Sequence, residues 1–241
     1  MIFDICNKSY YFENETLYKA DKIELLENNV YIFTGCNGIG KSTLIFQITE
    51  DRPTALKHFA YNLLNDYNGY NSFVNHFTDD KPNNDSDVYY LSINKKSNAR
   101  GINPDPFAKI SGQFKSSGEQ LIYDMLPCLE IVDKELERLK NKTLYLLLDD
   151  LDVGTSLDVI LEEKLVIKRF IKTLEKNNTK YIICISANNY ELTKLGTCID
   201  CVTLKPIEFK DYDDYVKYVV STREYKDIRN KKDKKCNGIN I

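Results

Sequence analysis

The chain has 241 residues, a length typical of one large domain or of two tightly packed lobes. Hydrophobic residues make up 42% and charged residues 29%, so the chain can bury a substantial core, which excludes collagen-like and wholly disordered proteins. Because the net charge is −3, any attraction to nucleic acid or anionic lipid must come from a local patch rather than from the overall charge.

The first part of the chain is predicted to contain short strands that form a small antiparallel portion, followed by a longer strand and two helices. Strands are predicted at 2–5, 10–12, 23–26 and 30–34. Helices are predicted from Lys41, where apolar residues recur at helical spacing, and at 53–67. Residues 79–87 are rich in Asp, Asn, Ser and Pro, so we expect an exposed loop there.

The second part of the chain alternates strands with helices. Strands are predicted at 88–93, 143–148, 181–186 and 201–204, and helices at 117–139, 157–176, 190–195 and 211–223. Because the strands are apolar on both faces, we expect an α/β fold whose mostly parallel sheet is covered by helices on both sides. The expected organisation is a single domain over 1–223, with a helical or irregular lobe at about 50–140 and a mobile tail over 224–241.

A glycine-rich motif lies between the strand at 30–34 and the helix that starts near Lys41, the context that the phosphate loop of a P-loop NTPase requires. Glycines let backbone N–H groups surround phosphate oxygens, and the helix N-terminus adds positive potential. The lysine would neutralise the β- and γ-phosphates of ATP, and the serine would bind Mg²⁺. A turn that binds nothing is the alternative, which this context disfavours. The predicted nucleotide-binding residues are Gly35, Cys36, Asn37, Gly38, Ile39, Gly40, Lys41, Ser42 and Thr43.

The apolar strand at 143–148 ends in two aspartates, at the edge of the sheet where α/β proteins bind ligands. We predict that Asp149 and Ser42 together bind Mg²⁺. Asp150 is predicted to be catalytic with Lys41, because its carboxylate could orient or deprotonate the attacking water. Many ATPases with a phosphate loop of this kind carry the longer glutamate at this position, so either Asp152 assists or hydrolysis is slow. A solvated acidic turn without function is the alternative.

A second glycine motif, SSGEQ at 116–120, lies between the phosphate loop and the acidic strand end, and TSLD follows that end. This order resembles the ABC class of ATPases over most of the chain, and its SSGE spelling resembles the SMC and recombination-repair branch. The resemblance implies that Ser117 and Gly118 contact ATP held by a second subunit, and that Asp158 lies between the subunits. It also places Tyr11 like the residue that stacks on adenine, although a core aromatic is an equal alternative.

Two positions depart from the ABC pattern. Asn188 and Asn189 follow the strand at 181–186, where the family carries a switch histidine, and either could hydrogen-bond a γ-phosphate as a neutral group. The glutamine of the Q-loop is not evident, and Asn94 and Gln113 are the two candidates for its place. Coupling between ATP and a partner is therefore open.

The cysteines and the start of the sequence bear on the compartment. Seven cysteines, an odd number, do not resemble the disulfide framework of a small secreted domain. The first residues lack the pattern of a secretion signal, and no apolar run approaches the roughly 20 residues that span a bilayer. We therefore expect a cytoplasmic protein. Cys198 and Cys201 form a CxxC pair, but one pair cannot complete a tetrahedral zinc site.

The resemblance implies an ATPase that uses ATP and Mg²⁺ and dimerises with a second ABC-type subunit, most simply a copy of itself, in DNA repair or in defence against foreign DNA. A nucleic-acid or protein partner fits this hypothesis. Two alternatives stay open. The chain could be the ATP-binding subunit of a membrane transporter, which fits less well because the switch histidine is missing, or a regulatory binder that does not hydrolyse ATP.

Overall fold

The structure, a computed structural model, describes residues 2–5, 16–49, 88–94, 143–149, 151–152 and 155–236. These residues divide between two compact units, each built from separate stretches of the chain. The first unit contains 2–5, 16–25, 31–49 and 186–236, and the second contains 26–30, 88–94, 143–149, 151–152 and 155–185. The elements predicted at 10–12, 53–67, 79–87 and 117–139 lie outside the described residues. The single domain predicted over 1–223 stays a prediction.

The described elements are numbered in chain order. The strands are β1 (Ile2–Asp4), β2 (Lys22–Glu24), β3 (Asn29–Thr34), β4 (Val88–Asn94), β5 (Thr143–Asp149), β6 (Lys180–Ser186), β7 (Thr197–Asp200) and β8 (Lys205–Ile207). The helices are α1 (Lys41–Thr49), α2 (Leu157–Lys176), α3 (Tyr190–Thr193) and α4 (Tyr212–Cys236).

The second unit contains three parallel strands and one long helix. β5 pairs in parallel with β4 and with β6. Every residue of β5 is buried, as expected for a parallel strand that is apolar on both faces. The helix α2 has the bounds that its apolar periodicity predicts, since one stripe of its surface is buried. Its buried apolar residues are Val159, Ile160, Ile167, Phe170 and Leu174.

The first unit contains the remaining strands, and its β3 carries the chain into the glycine-rich motif. β1 and β2 pair antiparallel, in agreement with the small antiparallel portion predicted for the N-terminus. β3 pairs in parallel with β7, and β7 pairs antiparallel with β8. Ala187, which follows β6, donates its N–H to the carbonyl of Phe33 at 3.1 Å. The chain that leaves β6 therefore lies beside β3 within this unit.

The strand predicted at 201–204 is wrong, because these residues form a turn between β7 and β8. The carboxylate of Asp200 accepts the N–H groups of Val202 and Thr203, at 2.9 and 3.2 Å, and thereby bends the chain. Leu204 lies at φ 57°, a left-handed conformation that a strand does not contain. The apolar residues of this segment are buried, as in a strand, but the backbone reverses.

The last predicted helix extends well past its expected end. We predict 211–223 from the sequence, whereas α4 continues to Cys236, so residues 224–236 of the predicted mobile tail are helical. This part of α4 is rich in charge and lacks the apolar stripe that would have revealed a helix.

The described residues form an α/β fold with mostly parallel strands and flanking helices, as the alternation of strands and helices predicts. Among the helices that the structure describes, none has the length and apolar character needed to cross a membrane.

Candidate functional site

The glycine-rich motif forms a loop between the end of β3 and the start of α1 in the first unit. Gly38 and Gly40 adopt φ values of 74° and 120°, which L-residues with a side chain rarely adopt. Between them, Ile39 is fully buried and anchors the loop to the core. The carbonyl of Gly40 accepts the N–H of Leu44 at 2.9 Å, the first hydrogen bond of the helix. The loop therefore leads its backbone directly into a helix N-terminus, as a phosphate site requires.

The ammonium group of Lys41 lies over this loop. Its Nζ donates to the carbonyls of Gly35 and Cys36, at 3.0 and 3.1 Å, and to Oδ1 of Asn188, at 2.6 Å. Lys41 is only 6% exposed, so these acceptors replace the water that the charge would otherwise need. All three acceptors are neutral, and the positive charge of the lysine is not cancelled by them.

Of the two asparagines that follow β6, the structure assigns one to the loop and the other to a helix end. Asn188 is the residue that contacts Lys41. The side chain of Asn189 accepts the N–H of Glu191 at 2.8 Å and caps α3. The neutral group beside the predicted phosphate site is therefore Asn188.

Tyr18 supports the loop from the side of the N-terminal segment and is a residue that sequence reasoning missed. Its hydroxyl donates to the carbonyl of Gly40 at 2.8 Å, and its ring is fully buried. A Cβ atom placed on Gly40 would lie 3.0 Å from the tyrosine oxygen. The absence of a side chain at position 40 therefore allows this close approach.

One face of α4 lies against the loop, which the sequence did not predict. Oγ1 of Thr222 accepts the N–H of Cys36 at 2.9 Å. The contacts continue along the helix: Nζ of Lys226 donates to the carbonyl of Asn37 at 2.8 Å, and Nη2 of Arg229 donates to the carbonyl of Gly38 at 3.3 Å. Residues spaced by three or four positions share a face of a helix. The signal that could have found this face is the spacing of Tyr218, Thr222, Lys226 and Arg229.

Tyr218 ties α4 to the ends of two strands. Its hydroxyl lies 2.9 Å from the carbonyl of Thr34, at the end of β3, and 2.9 Å from Oδ1 of Asp200, at the end of β7. Burial and the nearby negative charge of Asp200 raise the pKa of Tyr218, so the phenol remains neutral and can donate. The polar contacts of Tyr218 therefore fix the helix beside the strand that leads into the loop.

The pair Cys198 and Cys201 lies in β7 and in the turn after it. Both thiols are buried and are not in a disulfide. Burial raises the pKa of Cys198 to about 11, although a hydrogen bond to the carbonyl of Thr193 opposes this change. Burial also raises the pKa of Cys201 to about 12, and the charge of Lys41 only partly offsets it. Both side chains are thus protonated thiols near neutral pH, and thiolate is the form that binds metals. Among the residues that the structure describes, no group of three His, Cys, Asp or Glu side chains is placed to hold a metal ion.

Of the other predicted site residues, some are described by the structure and others lie outside the described residues. Ser42 and Thr43 lie half-buried in the first turn of α1. Asp149 ends β5 with 5% of its surface exposed, and its strand partner in register is Asn94. Asp158 is exposed in the first turn of α2, where a hydrogen bond with the Ser156 side chain lowers the pKa of its carboxyl. Outside the described residues lie Tyr11, Gln113, Ser117, Gly118 and Asp150.

No protein-family model matches the sequence, and a search of the curated proteins found no match. The chemistry of this site therefore rests on the geometry of the loop and of the side chains around it.

Proposed function

We propose that the protein binds ATP with Mg²⁺ at residues 35–43 and hydrolyses it slowly, as an ATPase that resembles the ABC class. The observation that carries the proposal is the position of Lys41 on the glycine loop. Its Nζ binds two carbonyls of the loop, so the charge lies where the backbone turns into α1. A buried cation, a loop of left-handed glycines and a helix N-terminus together form a site for a multiply charged phosphate.

The hydrogen bonds of Lys41 can be exchanged for stronger ones. Three of its acceptors are two carbonyl oxygens and an amide oxygen, which are neutral. A phosphate oxygen carries negative charge, so it adds coulombic attraction to the hydrogen bond that an ammonium group also makes with a neutral oxygen. Phosphate binding would therefore release Asn188 or a carbonyl without leaving the ammonium group unsatisfied.

The residues near the loop also suit Mg²⁺. This ion takes oxygen ligands, keeps several waters, and is bound through one or two protein side chains together with the phosphates of the substrate. Ser42 supplies a half-buried hydroxyl in the first turn of α1, next to the lysine. When bound, the ion would neutralise charge on the phosphate oxygens. The second ligand, Asp149, stays a prediction from the sequence.

Hydrolysis and dimerisation are the parts of the proposal that depend on the resemblance. Asp150 is the proposed general base, with hydrolysis slowed because aspartate is one methylene shorter than glutamate. A second copy of the chain is proposed to close the site with its Ser117 and Gly118. Asp158 has the exposure that a residue between subunits needs before dimerisation.

The test compares three variants with the wild-type protein. Lys41→Ala should abolish ATP·Mg²⁺ binding measured by calorimetry, whereas Lys172→Ala, an exposed lysine of α2, should bind like wild type. Asp150→Asn should retain binding, slow hydrolysis and accumulate a dimer in light scattering with ATP present. A wild-type protein that binds no ATP, or a Lys41→Ala variant that binds it normally, would contradict the proposal. Wild-type hydrolysis by Asp150→Asn would contradict the role of that residue alone.

A further inference from the structure

We propose that α4 supplies two further cations, Lys226 and Arg229, that bind the phosphates of the nucleotide together with Lys41. This inference rests on the proposed function. It assigns to the second half of α4 a role in selecting nucleoside triphosphate over diphosphate. The observation that carries it is that Lys226 and Arg229, which share one face of α4, contact the middle of the glycine loop.

Both cations already contact the loop through its backbone. Nζ of Lys226 lies 2.8 Å from the carbonyl oxygen of Asn37, and Nη2 of Arg229 lies 3.3 Å from that of Gly38. Both side chains are half-buried, and their hydrogen bonds to the loop are exposed to solvent. Since the carbonyls are neutral, a phosphate oxygen near the loop would be the stronger acceptor for either side chain.

The rest of α4 holds these cations in place. Thr222 binds the backbone of Cys36, one residue before Asn37, and is 3% exposed. Tyr218, one turn earlier, binds the carbonyl of Thr34 at the end of β3. These two contacts, one buried and one partly buried, hold the helix in register with the loop, so Lys226 and Arg229 follow on the same face toward the middle of the loop.

The end of the Lys226 side chain lies beside Gly38. A Cβ atom on Gly38 would lie 2.9 Å from Nζ of Lys226, a clash that the flexible lysine side chain can relieve by moving. By contrast, Lys217 and Arg223 belong to the same helix but are exposed, and they provide matched controls.

A preference for triphosphate follows from charge. ATP carries more negative charge than ADP, so each nearby cation stabilises bound ATP more than bound ADP. The opposite possibility is that α4 blocks the loop and must move away before a nucleotide can bind. The two possibilities predict opposite changes in ATP affinity. Removal of the cations weakens ATP binding if they bind the phosphates, and strengthens it if α4 blocks the loop.

The experiment measures the affinities of ATP·Mg²⁺ and ADP·Mg²⁺ by calorimetry for the full-length chain. Lys226→Gln and Arg229→Gln should each weaken ATP binding about tenfold, the loss expected for one charge-assisted hydrogen bond, and the double variant should lose more. ADP binding should fall less in each case. Arg229→Lys should retain most of the affinity because the charge is kept, and Lys217→Gln and Arg223→Gln should bind like wild type.

The outcomes separate this inference from the proposed function. If wild type binds ATP and Lys41→Ala does not, but the double variant binds as tightly as wild type, the role of α4 is wrong while the nucleotide site stands. A gain in ATP affinity in the double variant would equally overturn the inference, since α4 would then compete with the nucleotide. A wild-type protein that binds neither nucleotide would overturn both proposals. Circular dichroism of each variant confirms that α4 still folds.

Discussion

Nζ of Lys41 lies 2.6 Å from Oδ1 of Asn188 and donates a hydrogen bond to it. The two residues are 147 positions apart in the sequence, one at the start of α1 and the other in the segment after β6. Because the amide is neutral, it orients the ammonium group without cancelling its charge. The contact also does not depend on protonation near neutral pH, unlike the contact that a histidine would make at this position.

Asn188→Asp should weaken ATP binding about tenfold or more, because a carboxylate would pair with Lys41 and repel the phosphates. Asn188→Ala should weaken it less, since alanine adds no negative charge beside Lys41. Calorimetry with ATP·Mg²⁺ distinguishes the two variants. Equal affinity of the aspartate and alanine variants would show that the charge beside Lys41 is unimportant.

Thr222→Val should destabilise the fold by about 1–3 kcal/mol, because the buried N–H of Cys36 would lose its acceptor while the side-chain volume stays nearly the same. Thr222→Ser keeps the hydroxyl and is the matched control. The free energy of unfolding in urea measures both changes. If the valine variant is as stable as wild type, the hydrogen bond between α4 and the loop contributes nothing.

Much of the fold follows from local patterns. The bounds of α2 could be predicted because its apolar residues recur at helical spacing. The structure buries five of them, from Val159 to Leu174, whereas Leu157, Leu161 and Leu165 are exposed. β5 and β6 could be predicted because continuous apolar runs of that length are typical of buried parallel strands. In both cases the signal lies within the element itself.

The errors at 201–204 and in α4 arise where polar contacts, and not apolar spacing, determine the backbone. Val202 and Leu204 give the segment a strand-like composition, but the carboxylate of Asp200 accepts N–H groups in the turn. The second half of α4 has no apolar stripe, and its contacts are made through Thr222, Lys226 and Arg229 to a loop far away in the sequence. No local periodicity reports such contacts.

In the candidate site, too, some residues could be predicted from a local motif and others could not. The motif predicts the loop and Lys41, since glycine, lysine and serine are required at fixed spacing for phosphate chemistry. It does not predict Tyr18 or Tyr218, because a single tyrosine outside the motif carries no signal of what its hydroxyl contacts. The choice between Asn188 and Asn189 likewise needed coordinates, since the two are adjacent and chemically identical.

Gly40→Ala should destabilise the protein by about 1–3 kcal/mol, because the backbone has φ 120° at this position. The new methyl group would also lie 3.0 Å from the hydroxyl oxygen of Tyr18. Urea unfolding measures the change. Gly196→Ala is the control, since Gly196 is not among the glycines with positive φ and is exposed. Equal stability of the two alanine variants would contradict the strain at Gly40.

The stability of the protein should fall at alkaline pH. Burial raises the pKa of Cys198 from 9.0 to about 11 and that of Cys201 from 9.0 to about 12. Below pH 9 both thiols are protonated in the folded and the unfolded chain, so the stability they contribute is fully present. As the pH rises above 9, only the unfolded chain releases these protons, which favours unfolding by about 1.4 kcal/mol per pH unit for each thiol.

Cys201→Ala removes one of these protons, so the loss of stability between pH 9 and 10 should be smaller than in wild type by about 1 kcal/mol. Unfolded tyrosines begin to ionise in the same window, since their ordinary pKa is about 10, but this loss is common to the variant and the wild type and cancels in their difference. The measurement is urea unfolding across the pH series with a reducing agent present, which keeps the thiols from oxidising. Identical slopes for the variant and the wild type would show that the Cys201 thiol ionises as readily in the folded protein as in the unfolded chain.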